Sequence, residues 1–476
     1  MNLSIWLSEI CEKFPQNVAL IQDDRRITFE TLNHHVLSLA THLKSLGINK
    51  GDSVAIMLPN CIGFVVSYFA TLRCGGVAVT INTASTPYEM THFLSDSSTK
   101  LIITNSTHLK KYELIKSTVT TCNGSVVIDN IDDISQTSFA DISTSCPDID
   151  EKDVAVMIYT AGLSGKALGA ELTHGNILSQ APLLEMTCSV SADDRGLAVI
   201  PYFHAFGAIA NLISIFAVGG SVVLMERFTI DSIFNIIKNE KVTYIAAVPR
   251  LFLGMLFYDK VFDVSSLRFL VSGGSAMPHD VFPAFEQKFG VKIWEGYGVT
   301  EASPVCATSR TNMEHKIGSV GVTAPFVETK IVDDSGNELP CGVIGELLVS
   351  GHNVMKGYHK NPMATAEVIK NGWLHTGDLA KKDGDGYIFI TGVKKRLIIT
   401  NGLNVYPREV ERVLEEHPMV AKAIANGKPD ALRGEIVSLT IHPKNGCIVD
   451  EKEILRFCRE YLSAYKIPRE IKIVEN

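Results

Sequence analysis

Two kinds of apolar spacing alternate along the first hundred residues. RRITFETL, beginning at Arg25, opens a strand-like run. FETLNHHVLSLATHLKSLG then places Leu32, Val36, Leu37, Leu39, Ala40 and Leu43 on or near one face of a helix, where residues three and four apart meet. Gly47 and Gly51 bracket its exit. DSVAIMLPN (52–60) reads as a short buried strand, GFVVSYFATLRCGG (63–76) as a buried helix and VAVTIN (77–82) as a further strand. Strands alternating with helices predict parallel α/β layers. The pattern returns in LAVIPYF (197–203), SVVLME (221–226), VTYIAAVP (242–249), LRFLVSGG (267–274) and VKIWEGYG (291–298). Several of these strands end in glycine-rich or polar loops, where open α/β sheets hold their ligands.

Residues 320–391 change character: TKIVDDSGNELP, GELLVSG and DGDGYIFITG follow closely and predict a mostly β region. A last shift comes near residue 392. Segment 393–476 holds 15 basic and 12 acidic residues, a balance of +3, against 29 and 40, a balance of −11, in the remainder. GVKKRL reads as a polar joint. The expected organisation is a large N-terminal domain, 1–391, of layered α/β subdomains with a small β-rich subdomain, then a small mobile α/β domain, 392–476.

Composition narrows the function. At 46% hydrophobic and 20% charged residues in 476, the chain is an ordinary globular protein and not a disordered one. A net charge of −8 argues against a dedicated nucleic-acid binder. Ten scattered cysteines show no C-x-x-C spacing, so neither a disulfide scaffold nor a structural zinc site is expected, and the reducing cytosol is the natural compartment. MNLSIWLSEICEKFPQN lacks the basic start and long apolar core of a signal peptide. In AIANLISIFAVGGSVVLM (208–225) polar residues and a Gly219-Gly220 break predict a buried helix and a core strand, with no membrane span.

The chemistry concentrates in a few loops. Tyr159-Thr160-Ala161-Gly162-Leu163-Ser164-Gly165-Lys166 follows a strand, DVAVMIYT, and precedes THGNILSQAPLLEM, read as a helix. Glycines let backbone N–H groups approach phosphate, hydroxyls donate to it and lysine adds a point charge. The spacing is not that of a Walker loop, because Thr160 and Ala167 stand where Gly and Ser or Thr are needed.

With six further segments this loop resembles the adenylate-forming superfamily of acyl-CoA synthetases, peptide-synthetase adenylation domains and beetle luciferases. The family loop runs roughly Y-T-S-G-T-T-G-K-P-K-G-V, and residues 159–170 occupy its place. PYFHAFG (201–207), SGGSAMP (272–278), EGYGVTEASP (295–304), GELLVSGHNVMKGYHKNPMAT (345–365), WLHTGDLA (373–380) and GVKKRLIITNGLNVYPREVE (392–411) follow in the family's order. The resemblance covers nearly the whole chain.

It implies a site and a reaction. Thr160, Gly162, Ser164, Gly165 and Lys166 would hold ATP phosphates. Gly273, Gly274 and Ser275, with Glu295, Gly296, Tyr297 and Gly298, would line the adenine pocket, Tyr297 stacking on the base. Thr300 would bond the α-phosphate, Glu301 would hold Mg²⁺ and Asp378 would accept both ribose hydroxyls. His204 would gate an acyl pocket formed with Tyr202, Phe203, Phe206 and Gly207. Gly402 and Asn404 would line the thiol path, and Lys395 falls at the interdomain hinge. The implied reaction activates a carboxylic acid with Mg·ATP as acyl-adenylate, then passes it to the thiol of CoA as the small domain rotates. Partners are small molecules, with a homodimer left open.

Three departures bear on activity. Ala161, Leu163, Ala167 and Leu168 replace Ser, Thr, Pro and Lys of the family loop. Val393 replaces an Arg near the ribose. The family's P-x-x-x-x-G-K segment, whose lysine serves adenylation, has no match before Asn476, which implies impaired adenylation. The acid pocket is expected behind His204, near Phe206–Ile213 and Gly273–Ala276. No Arg or Lys in HAFGAIANLISIFAV offers to pair a second carboxylate, which favours an apolar acid, of medium or long chain, over an aryl or amino acid. A loading enzyme for a carrier protein and a degenerate homologue that binds without adenylating remain alternatives.

Overall fold

The computed structural model describes residues 2–132, 146–161, 166–260, 262–394, 397–430 and 432–474, the side chain of Ala161 excepted. The large N-terminal domain holds two big sheets. In the nine-stranded sheet, Val18–Gln22, Ser221–Leu224, Arg195–Ala198, Tyr244–Ala247, Phe269–Ser272 and Ile293–Gly298 run parallel. Antiparallel strands close both edges, Arg25–Thr28 at one and Val305–Thr308 with Val322–Thr323 at the other. The seven-stranded sheet runs Gly357–Tyr358, Ala167–Thr173, Val154–Ala161, Val77–Thr80, Ser53–Met57, Leu101–Thr104, Ser125–Val127. Parallel strands covered on both faces read as continuous apolar runs, and Ser53–Met57, Val77–Thr80 and Leu101–Thr104 are buried at every position.

The helices follow the spacing. Phe29–Ser45 starts where the Thr28 hydroxyl accepts the Thr31 N–H, and it buries Phe29, Leu32, Val36, Leu39 and Leu43. Ile62–Arg73 is buried all round between the big sheets. Pro87–Asp96 opens with a capping box in which Thr86 and Glu89 each satisfy the other's backbone N–H. Residues 206–216 are helical, with a wide π-type stretch over Phe206–Ile213, and Ser221–Leu224 is a core strand. Among the described residues no helix is long and apolar enough to cross a membrane.

The β-rich region is as expected: Val327–Val332, Gly345–Gly351, Trp373–Lys382, Ile369–Lys370 and Ile388–Val393 form a five-stranded sheet. The small C-terminal domain has its own core, built on Ile398, Val405, Val410, Leu414, Leu439, Ile441 and Ile454. The last strand of the β-rich sheet runs to Val393, and the first buried residue of the separate core is Ile398.

One local expectation is overturned. The segment after the glycine-rich loop is a strand, Ala167–Thr173, that pairs antiparallel with Val154–Ala161. The strands on either side of residues 162–165 therefore form a hairpin with each other. The helix read in 173–186 starts only at His174 and is split into His174–Leu178 and Leu183–Cys188, with Pro182 opening the second piece.

Candidate active site

A cleft of about 1370 Å³ opens where the C-terminal ends of the large sheets meet the β-rich sheet and the small domain. Strand Ile293–Gly298 delivers Glu295, Gly296, Tyr297 and Gly298 to its wall, and the single turn Thr300–Ala302 follows with Thr300 and Glu301. The Tyr297 hydroxyl donates to the Asp378 carboxylate, which the strand Trp373–Lys382 brings from the β-rich sheet. Asp378 faces Val393 in register on the neighbouring strand. Glu301 Oε1 accepts from Thr160 Oγ1 at 3.2 Å and from Tyr358 Oη at 2.8 Å. Burial, and then the Glu301 charge, push the Tyr358 hydroxyl far above its usual pKa.

Among the described residues, the basic side chains on the cleft wall are Arg250 and Lys466. A wall carrying Glu301 and Asp378 repels a polyphosphate unless a divalent cation lies between them. One carboxylate plus phosphate oxygens is a donor set that suits Mg²⁺, so Glu301 fits that role. Glu295 is 7% exposed and accepts the Gly318 N–H at 3.2 Å. Burial pushes its carboxyl up to about 7.

The apolar end differs from expectation. His204, Phe203 and Phe206 line the cleft. Burial pushes His204 down to about 4, and its Nε2 is buried without a hydrogen-bond partner among the described residues. Tyr202 instead belongs to the core, 1% exposed with its ring 5.6 Å from Phe64. Gly207 is also off the wall; its missing side chain makes room for the Pro201 carbonyl, 2.4 Å from where a Cβ would lie. Residues 207–213 turn into the core too. A helix apolar on every side gives no sign of which face meets a ligand. The wall continues through Ala247, Val248, Leu251 and Gly254 to Ile230 and Phe228, none of which the sequence reading assigned to it. Phe228, 42% exposed, stands at the outer end.

The remaining residues sort plainly. Gly274, Ser275, Thr160, Gly402 and Asn404 line the cleft, whereas Gly273 lies behind Phe206. Lys166 is exposed and off the wall. Gly162, Ser164, Gly165 and Lys395 lie outside the described residues. Gly402 has φ +76°, and a Cβ there would sit 2.3 Å from Val248 Cγ1. The loop is tied across the domains by Arg250, whose Nη1 donates to Asn401 Oδ1 at 2.5 Å. Sequence reading gives Arg250 no part in the site. It also passed over Tyr358 and Tyr406, although both stand inside segments that carried the resemblance.

A second polar cluster lies on the cleft wall. Lys466 Nζ donates to Glu89 Oε1 at 2.7 Å and to Glu409 Oε1 at 2.6 Å, with all three side chains buried. Burial opposes the Glu89 charge, but Lys466 and the neighbouring donors outweigh it and hold the carboxyl below its usual range.

The chain matches known proteins along nearly its whole length. Residues 7–359 match the family described as AMP-binding enzyme, and residues 409–476 match AMP-binding enzyme C-terminal domain. A long-chain-fatty-acid–CoA ligase of Bacillus subtilis is 33% identical over 97% of this chain and 89% of its own. A feruloyl-CoA synthase of Amycolatopsis is 32% identical over 99% and 95%. The structure of a Bacillus subtilis o-succinylbenzoate CoA synthetase variant, bound with a product analogue, superposes with a TM-score of 0.89 at 29% identity, covering 99% of this chain and 95% of that one. The chain belongs to the AMP-binding enzyme family, in the acyl-CoA synthetase branch of the adenylate-forming superfamily, and is an AMP-forming acyl-CoA synthetase.

Proposed function

We propose that this enzyme activates an apolar carboxylic acid, of medium or long chain, and transfers it to CoA. The observation that carries the reading is the apolar wall that leaves His204 and runs through Val248, Leu251, Gly254 and Ile230 to a partly exposed Phe228. A wall that leads outward suits an acyl tail of variable length, whereas an aryl acid needs only a closed pocket. The named relatives act on both kinds of acid, so the reading rests on this wall.

In the first step the carboxylate oxygen attacks the α-phosphorus of ATP as the bond to pyrophosphate breaks. Asp378 accepts the ribose hydroxyls, giving up its bond from Tyr297, whose ring stacks on adenine. Thr300 donates to an α-phosphate oxygen. Glu301 and phosphate oxygens would hold Mg²⁺, which would neutralise charge on the phosphates. His204 stays neutral at working pH and offers its orphaned nitrogen to the acid carboxylate. In the second step the thiol gives up its proton to water, the sulfur attacks the adenylate carbonyl, and AMP leaves with the electron pair of the broken acyl–oxygen bond. Gly402, whose missing side chain lets its loop close against Val248, would border the path of the thiol arm. No protein nucleophile is needed, because positioning and charge placement lower both barriers.

The test is acid-dependent pyrophosphate release from Mg·ATP with fatty, aryl and amino acids, followed by addition of CoA. Release that peaks with a medium- or long-chain fatty acid, followed by thioester formation, supports the reading. Release confined to aryl acids overturns the substrate class. Absence of release with every acid tried, from folded protein that binds ATP, points to a degenerate homologue. Adenylate formed but refused by CoA points to a carrier protein as acceptor.

A further inference from the structure

The Glu89–Lys466–Glu409 cluster joins two separately cored bodies, and its bonds are distributed unevenly between them. Glu89 sits in the first turn of helix Pro87–Asp96 in the large domain, where its Oε2 accepts the Thr86 N–H at 2.8 Å. Lys466 and Glu409 both belong to the small domain, Glu409 in the first turn of helix Pro407–Glu415. Ser463, also of the small domain, donates to Glu89 Oε2 at 2.5 Å. Around the cluster the Tyr88 and Tyr461 rings meet edge to face at 5.2 Å, and Thr86 Oγ1 donates to the Tyr461 carbonyl at 3.2 Å. The same docking brings the Gly402 loop against Val248 and Gly274.

Consider the two bodies moving apart. Lys466 keeps Glu409, so the small domain retains a neutral pair. Glu89 returns to water with its cap to Thr86 intact. Neither side is left with a bare buried charge, which is the usual penalty for breaking a buried ion pair. Together, two carboxylates share one ammonium, and Glu409 Oε2 is left buried without a hydrogen-bond partner among the described residues. Such a contact favours one orientation without making it permanent.

We infer that Glu89 is a positioning residue for thioester formation: by sharing Lys466 with Glu409 it holds the small domain where the Gly402 loop faces the acyl end of the cleft. The inference rests on the two-step reading above, and its experiment separates the two. In the full chain, Glu89→Gln keeps a capping side chain but removes the charge. It should slow transfer from preformed acyl-adenylate to CoA by roughly tenfold, with acid-dependent pyrophosphate release and melting temperature unchanged. Lys466→Met should slow transfer alike, with a lower melting temperature because Glu409 and Glu89 lose their shared cation, and Lys466→Arg should restore much of the transfer rate. Hydrogen exchange reads the contact without activity: Glu89→Gln should raise exchange at residues 461–466, and Lys466→Met at residues 84–90. Equal slowing of both steps, or transfer at the wild-type rate, overturns the inference. So does exchange that neither variant alters. A wild type that releases no pyrophosphate with any acid overturns the parent reading, and exchange then decides the docking contact alone.

Discussion

The two ends of the cleft are built on opposite plans. At the nucleotide end, Tyr297, Asp378, Glu301, Thr160 and Tyr358 arrive from three different sheets and meet through directed hydrogen bonds. At the acyl end, Phe206, Val248, Leu251, Gly254, Ile230 and Phe228 offer shape and little else. The nucleotide is the same in every turnover, so fixed donors and acceptors serve it. The apolar acyl tail proposed above has no polar groups to address, so volume alone would select it, at about 1–3 kcal/mol per methylene. Changes at the first end should therefore strike all acids equally, and changes at the second should sort them by length.

The largest expected effect tests the seam between the ends. Gly402→Leu adds a side chain at φ +76° into Val248. CoA transfer should fall on the order of 10²-fold or more for every acid, with pyrophosphate release retained; a loss confined to long acids would move Gly402 to the acyl end. Next comes Asp378→Ala, which removes the proposed ribose acceptor. The KM for ATP should rise roughly 100-fold, as for two hydrogen bonds to a charged group, whichever acid is supplied. Gly254→Leu should then cut kcat/KM for long acids by about tenfold and spare short ones. A Cβ there already lies 2.7 Å from Ile230 Cδ1, so the larger side chain must narrow the channel. The smallest effect is on stability. Glu295, pushed up to about 7 by burial, keeps a proton that the unfolded chain gives up near pH 4.5. Stability should thus fall as pH rises from about 4.5 to 7, by on the order of 2–3 kcal/mol. In Glu295→Gln that slope should disappear, and the melting temperature above pH 7 should rise by a few degrees.

The same contrast explains what could be read from the chain. Asp378, Tyr297, Thr300 and Glu301 sit in short polar motifs that stand out from their surroundings, and the fold brings them to one wall. Val248, Leu251 and Ile230 look like any core residue, and only the packing of two helices against the sheet shows that one face of each is uncovered. The error at Tyr202 and Gly207 has the same origin, since proximity to His204 in the chain does not decide which way a buried side chain points. Parallel layers were legible because strands buried on both faces carry unbroken apolar runs, as in VAVTIN. The hairpin at 154–173 was not, because Leu168, Gly169 and Ala170 alternate too weakly to announce a strand. Long-range ion pairs such as Lys466 with Glu89 leave no trace in spacing; the partners lie 377 positions apart.

The strand that carries Val393 has one further consequence. It is locked to the strand that carries Asp378 by the Asp378–Val393 register and by the Lys394 N–H donating to the Gly377 carbonyl at 2.7 Å. On the two-step reading proposed above, the small domain would swing past an anchored post at Val393 and Lys394 while Asp378 stays where it is. The activated intermediate then keeps its grip through the swing, so leakage to water should be governed by how long the cleft stays open and not by loss of the nucleotide handle.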